Sequence, residues 1–131
     1  MIGQHLHNAL PFTAASIIVP RRPVKVDTVN RQVILAASVN GNLVQGFTGA
    51  ATAPQGEAVT VYGDDSVVEA VAGASLGAGG FVGVSSTNGA IGPVAAASGI
   101  ERYAVGQALE SAAAGEIFSL YVKPRQLSTV A

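Results

Sequence analysis

The stretch VGQALESAAAGEIFSLYVKP, from Val105 to Pro124, decides the fold of this 131-residue chain. It opens with a strand-like apolar segment, continues through small residues, turns at Gly115-Glu116 and ends in a second strand. Successive strand residues point to opposite faces, so Phe118, Leu120 and Val122 form one apolar row after the turn. None of these side chains is reactive. The stretch therefore predicts strand pairing and packing.

The same pattern occurs earlier in the chain. Gly56-Glu57 precedes the segment AVTVY, which ends at Tyr62, and the corresponding IFSLY ends at Tyr121, 59 positions later (121 − 62 = 59). Four upstream positions recur at an offset of 58, as Val24 with Val82, Val26 with Val84, Asn30 with Asn88, and Val33 with Ile91. Between these anchors, the segment Val44-Gln45-Gly46 aligns with Val105-Gly106-Gln107 at an offset of 61 (105 − 44 = 61), which requires a short insertion. This periodicity predicts a duplicated β unit, with copies over about residues 23–63 and 80–124.

Many short apolar segments separated by turn residues favour a small β-barrel or sandwich with about eight to ten strands. Two segments have helical features. Ala108 to Ala114 is rich in alanine. In Asp65 to Ala72, Ser66 and Glu69 match a weak capping box, although the valines there are equally suited to a strand. We therefore expect an all-β fold with an internally duplicated unit and minor helix.

Composition restricts the function classes. The chain is 49% hydrophobic and 11% charged, so it can bury a core. That core is rich in Ala and Val, and we expect its stability to depend partly on subunit contacts. A net charge of −1 argues against direct nucleic-acid binding. The absence of cysteine excludes disulfides and thiolate metal sites.

The uncharged run from Ala70 to Ile100 is long enough to span a bilayer, but Gly, Asn and Pro residues interrupt it. The first 20 residues do not have the order of a signal peptide, since the Arg pair follows their apolar part. We expect a soluble protein without a membrane partner. It would comprise an N-terminal arm over residues 1–22 and a single compact β domain over residues 23–131.

Two features of the N-terminal region are open to alternative interpretations. Ile17, Ile18 and Val19 lie in a frayed terminus, or they pair with the sheet edge of a neighbouring subunit. A basic cluster holds four of the seven Lys and Arg residues, namely Arg21, Arg22, Lys25 and Arg31. This cluster is either a solvated face or a surface that docks onto an acidic patch. If it docks, exchanging Arg21 and Arg22 for Glu weakens the attachment and its salt dependence.

No motif indicates an active site. His5 and His7 are too few for a zinc centre. Asp64-Asp65 with Glu69 lacks the spacing of a calcium loop. The glycines between Gly77 and Gly83 have no Gly-Lys-Ser/Thr beside them, and the serines have no nearby His. We expect no enzymatic activity, no cofactor and no metal.

Two segments of the second copy, GGFVGVSSTNGAIGPVAA and RYAVGQALESAAAGEIFSLYVKP, resemble the phage capsid cement, or head decoration, proteins. The first segment fits the family's hairpin pattern at Gly80, Val82, Val84 and Gly89. The second fits its C-terminal pattern at Val105, Gly106, Ala108, Leu109, Ala112, Gly115 and Glu116. The resemblance covers roughly the last fifty residues well and the first copy loosely.

This resemblance implies a β-tulip-like fold and a structural virion protein. Such a protein would be made in the host cytoplasm and bind the major capsid protein on the outer capsid surface. As a homotrimer, it would stabilise the expanded icosahedral head against DNA pressure. The candidate capsid contacts are Ile17, Ile18, Val19, Arg21, Arg22 and Lys25. The alternative is a head-fibre base or a host-surface adhesion module on the same scaffold.

Overall fold

The computed structural model describes residues 9–27, 31–37, 44–85, 88–94 and 102–127. These ranges contain ten strands and no helix. The strands are β1 (Ala9–Ala14), β2 (Pro23–Val26), β3 (Gln32–Leu35), β4 (Val44–Phe47), β5 (Ala58–Tyr62), β6 (Val67–Val71), β7 (Phe81–Val84), β8 (Ile91–Pro93), β9 (Arg102–Ala108) and β10 (Ile117–Leu127).

The strands form two sheets that follow each other along the chain. The first is a closed barrel in the order β1-β3-β2-β4-β5, and we call it the first lobe. The second has the order β6-β10-β9-β7-β8, and we call it the second lobe. A parallel bridge between Ala72 and Ile91 brings the two outer strands of the second sheet together. The prediction of a small all-β barrel or sandwich is confirmed.

The two lobes repeat one pairing scheme. The parallel pair Ala14–Val33 of the first lobe corresponds to Ala72–Ile91 of the second, at an offset of 58 for both members (72 − 14 = 58; 91 − 33 = 58). Backbone conformation repeats as well, because a positive φ occurs at Arg31 and again at Gly89, 58 positions later (89 − 31 = 58). First-lobe positions therefore have second-lobe counterparts that can be compared one by one.

The sequence alignment of β4 with β9 was wrong by one residue. Val24 pairs with Gly46, and Val82 pairs with Gly106, so the true offset there is 60 (106 − 46 = 60). The physical reason is a close approach of two strands. A Cβ atom added at Gly46 would overlap the backbone carbonyl oxygen of Tyr62 on β5, and one added at Gly106 would overlap that of Tyr121 on β10. The two glycines must therefore correspond.

Residues 9–22, which the sequence places in an arm, contribute strand β1 to the barrel. β1 pairs along its length with β5 and at its end with β3. Pro11 obscures this strand in the sequence, because proline is unusual inside a sheet. Residues 1–8, with His5 and His7, lie outside the described residues.

Neither segment with helical features is a helix. In Asp65 to Ala72, Val67–Val71 is strand β6 and pairs with β10. In Ala108 to Ala114, Ala108 ends strand β9 and Ala112 forms an antiparallel bridge with Leu76. The β-branched valines decide the first case. In the second, backbone hydrogen bonds in both directions between Leu76 and Ala112 hold the segment in a bridge instead of a helix.

Each lobe has its own cluster of buried side chains. The first cluster includes Val24, Val33 and Val61. The second includes Phe118 and Leu120, and it also contains residues of the first lobe. Phe47, on β4, is fully buried in the second cluster, and Tyr62 packs against it. The first lobe thus completes the core of the second.

Candidate binding surfaces

Polar contacts join the lobes next to Phe47. Arg21 Nε donates to Glu69 Oε1 at 2.8 Å, and these side chains are only 27% and 16% exposed. Arg22 Nε donates to the backbone oxygen of Asn88 at 2.9 Å. Partial burial and the neighbouring Arg21 charge lower the pKa of Arg22. Both arginines are therefore engaged inside the chain.

This placement changes what a charge reversal at Arg21 and Arg22 would report. Exchanging both for Glu would put a second carboxylate beside Glu69 and remove the hydrogen bond to Asn88. The double variant would therefore destabilise the contact between the lobes as well as any docking to a partner. Lys25 lies half-buried on β2. Among the predicted contact residues, Lys25 is therefore the one whose charge can be reversed to test docking to a partner.

The Arg21–Glu69 pair should contribute to the stability of the folded chain. In a double-mutant cycle with Arg21→Met and Glu69→Gln, we expect a coupling of about 1 kcal/mol, because the pair is partly shielded from solvent. Urea unfolding measures it. The matched control is Lys123→Met with Asp64→Asn, whose 3.5 Å ion pair is 41% and 50% exposed and should show almost no coupling. Equal coupling energies in the two cycles would contradict a stabilising role for the Arg21–Glu69 pair.

The apolar segment before the arginines is split between core and surface. Ile18 is 1% exposed, and its backbone N–H and C=O both bond Ala53 at 2.9 Å. Ile17 and Val19 are 64% and 41% exposed. Ile18 is therefore a core residue and not a contact for a partner, whereas its two neighbours lie on the surface.

Strand β5 has an open edge beside this segment. Thr13 and Ala15 donate their N–H groups to residues 31 and 33, on the β3 side of β1, whereas Ala14 donates to Glu57. Hydrogen-bond direction alternates along a strand. Thr60, which lies opposite Pro11, therefore directs its N–H and C=O away from β1.

On that side, β4 pairs with β5 only at Phe47 and Tyr62. Thr60 lines a groove of about 280 Å³, together with Gly49, Ala50, Ala51, Thr52, Ala53, Pro54, Glu57, Ala58, Val59 and Tyr62. We call this groove, with the exposed side chains of Ile17 and Val19, the β5-edge surface. Ile17 and Val19 flank the residue that pairs with Ala53, so they lie next to the groove.

The corresponding edge of the second lobe is filled by its own chain. Leu109 N–H donates to the backbone oxygen of Ser119, and Ser119 N–H donates to the Glu110 carboxylate, both at 3.0 Å. Ser119 is the counterpart of Thr60 (119 − 60 = 59). This difference between the two edges is visible in the sequence, because the first copy has Gly49-Ala50 where the second has Leu109-Glu110.

A second open surface lies at one end of the first barrel. Leu10 and Val26 are 46% and 45% exposed there. With Pro11, Phe12 and Arg31, they line a cavity of about 290 Å³. We call these five residues the first-lobe mouth. Like the β5-edge surface, it was not predicted from the sequence.

The acidic turn between the lobes binds its own neighbours. Tyr121 donates its hydroxyl to Asp65 Oδ1 at 2.6 Å, and Lys123 Nζ lies 3.5 Å from Asp64 and from Asp65. Glu69, which the sequence analysis considered with them and rejected as a calcium loop, binds Arg21. Among the residues described, no three His, Asp or Glu side chains are grouped as metal ligands would be. In those same ranges, no helix is long and apolar enough to cross a membrane.

The hydrogen bond to Asp65 raises the pKa of Tyr121 above the ordinary tyrosine value of 10.0. A raised pKa in the folded state stabilises the fold below pH 10, and this contribution is lost as the pH rises from 10 through the folded-state pKa. In an ultraviolet titration, we expect one tyrosine to ionise later than usual. Tyr121→Phe should remove that late step, and Asp65→Asn should shift it to lower pH. An unchanged curve in both variants would refute the bond.

No family model and no curated protein match this chain. Among solved structures, the chain is similar to the N base of the head fibre gp8.5 of bacteriophage phi29, with a TM-score of 0.63 and 16% sequence identity. The match covers 92% of this chain and 95% of the other. The chain therefore has the fold of that fibre base across both lobes.

Proposed function

We propose that this protein is a non-enzymatic structural component of a phage virion and attaches to the outside of the head. The observation that carries the proposal is the likeness to a head-fibre base over 92% of the chain. The resemblance of the second copy to head decoration proteins supports the same location. Its partner is the major capsid protein, and the attached form is a homotrimer.

Two forms of this function differ in what the attached protein does. As a decoration protein, it braces the expanded shell against the pressure of packaged DNA, as the sequence resemblance implies. As a fibre base, it holds a further structure on the head, which the structural likeness favours. Both forms require a surface that binds the shell.

The β5-edge surface is suited to that attachment. Thr60 offers a backbone donor and acceptor to an extended segment of the shell protein, and strand addition of this kind gives affinity through the main chain. The small residues beside the groove allow close approach of another backbone. Ile17, 64% exposed, adds apolar area at the rim.

Co-sedimentation with expanded, DNA-free heads of the phage that encodes the protein tests this attachment. Thr60→Pro removes the outward N–H donor and puts the proline ring in its place, while the hydrogen bonds between β5 and β1 do not use this N–H. We expect this variant to weaken binding at least tenfold. Thr60→Val keeps that donor and should bind like the wild type. Ile17→Asp should also weaken binding. Heads that do not bind the wild-type protein would refute the proposed function, whereas heads that bind all variants equally would refute only this surface.

Heating DNA-filled heads that carry the bound protein distinguishes a decoration protein from a fibre base. A decoration protein should raise the temperature at which packaged DNA is released, in proportion to its occupancy on the shell. A fibre base should leave that temperature unchanged at full occupancy. The comparison uses heads with and without bound protein at equal salt.

A further inference from the structure

The second lobe has a mouth that corresponds to the first-lobe mouth, and it is covered. Its positions are Val68, Glu69, Ala70, Val84 and Gly89, each 58 residues after its counterpart, so that Val68 corresponds to Leu10 (68 − 10 = 58). Val68 is 1% exposed, whereas Leu10 is 46% exposed. The same place in the same fold is thus buried in one lobe and open in the other.

The first lobe provides the cover. Arg21 binds Glu69, and a Cβ added at Gly89 would come within 2.8 Å of Leu35 and 3.1 Å of Arg22. Phe47 joins the buried cluster that contains Val68 and Ala70. This intramolecular contact is a template for how a mouth of this fold is closed, since one lobe offers its mouth and the other offers its β2–β4 side.

The second lobe also has a β2–β4 side, formed by β7 and β9. Gly79, Phe81 and Gln107 are its counterparts of Arg21, Pro23 and Phe47. Gly79 is exposed, and Phe81 and Gln107 are half-buried. We call these three residues the second-lobe side. It carries no charge that would oppose Arg31 at the first-lobe mouth.

We propose that the first-lobe mouth docks onto the second-lobe side of another copy of this chain. The contact reproduces between chains the arrangement that joins the lobes within one chain. Gln107 in place of Phe47 makes it weaker and reversible, because less apolar area is buried. The contact is heterologous, so repetition gives a closed ring or an open chain of subunits.

Mixing two blocked variants tests this contact. Leu10→Lys puts a second positive charge beside Arg31 and blocks the mouth, and Gln107→Arg blocks the second-lobe side. We expect the native mass of the wild type to rise with concentration and each variant alone to stay monomeric. An equimolar mixture should form dimers that grow no further, because each variant keeps one functional surface. Ile117→Lys changes a side chain 43% exposed that belongs to neither surface, and it should associate like the wild type.

Several outcomes would overturn the proposal. A wild-type chain that stays monomeric at its highest soluble concentration shows that the first-lobe mouth does not bind another copy. A mixture that stays monomeric shows that the two surfaces do not meet. Association of either variant alone to the wild-type mass places the contact elsewhere. Far-ultraviolet circular dichroism of each variant confirms that the fold is retained.

Discussion

Replacing Gly106 with alanine should destabilise the protein by about 3 kcal/mol or more, the largest effect we expect from adding a single methyl group. The added Cβ would overlap the Tyr121 carbonyl oxygen and lie 2.9 Å from the carbonyl carbon. Both atoms belong to the backbone of the paired strand β10, so no side-chain rotation relieves the contact. β9 and β10 would have to separate in the middle of the second sheet. The thermal midpoint should fall by about 10 °C.

Gly77→Ala is the matched control for this change. A Cβ at Gly77 has no atom within 4 Å, so this substitution should be neutral or slightly stabilising. Gly46→Ala, at the corresponding site of the first lobe, should resemble Gly106→Ala. Thermal unfolding followed by circular dichroism compares the three variants. A Gly106→Ala midpoint within a degree or two of the wild type would contradict the strand register.

Phe47→Ala should cost about 3–5 kcal/mol, the usual range for a buried phenylalanine. Its strand belongs to the first barrel, but its ring is fully buried in the second cluster. The loss should therefore weaken the second lobe and the contact between lobes. Native-state hydrogen exchange should show the largest loss of protection in β6, β9 and β10, with a smaller loss in β1 and β3.

Gln107→Ala is the control for Phe47→Ala, because it truncates the corresponding side chain of the second lobe. Gln107 is half-buried and makes an exposed 3.3 Å hydrogen bond to the Gly79 oxygen. We expect a change within about 0.5 kcal/mol. If Phe47→Ala lowered protection equally in both lobes, they would unfold as one unit. If it lowered protection only in the first lobe, the placement of Phe47 in the second core would be wrong.

The sequence predicted the elements that depend on local pattern. Turn glycines at Gly56 and Gly115 and the alternation after them gave the strands β5 and β10. The pattern failed where tertiary contact decides conformation. Pro11 concealed β1, and the capping-box match at Ser66 suggested a helix in a segment that valines hold in the sheet.

The open surfaces depend on differences between the two copies, which a reading of each copy alone does not reveal. Leu10 and Val68 have the same character in the sequence, but only Leu10 is exposed, because the first lobe covers just one mouth. Likewise, Arg21 and Arg22 look like a solvated basic pair. Their partners Glu69 and Asn88 lie far along the chain, and only the folded arrangement brings them together.

Electron cryomicroscopy of virions gives the most direct test of the central claim. Particles from the phage that encodes this protein should be compared with particles from a strain that lacks its gene. We predict density on the outer surface of the head that accommodates both five-stranded lobes and is absent from the deletion particles. Heads with identical outer surfaces in the two strains would contradict the proposed function.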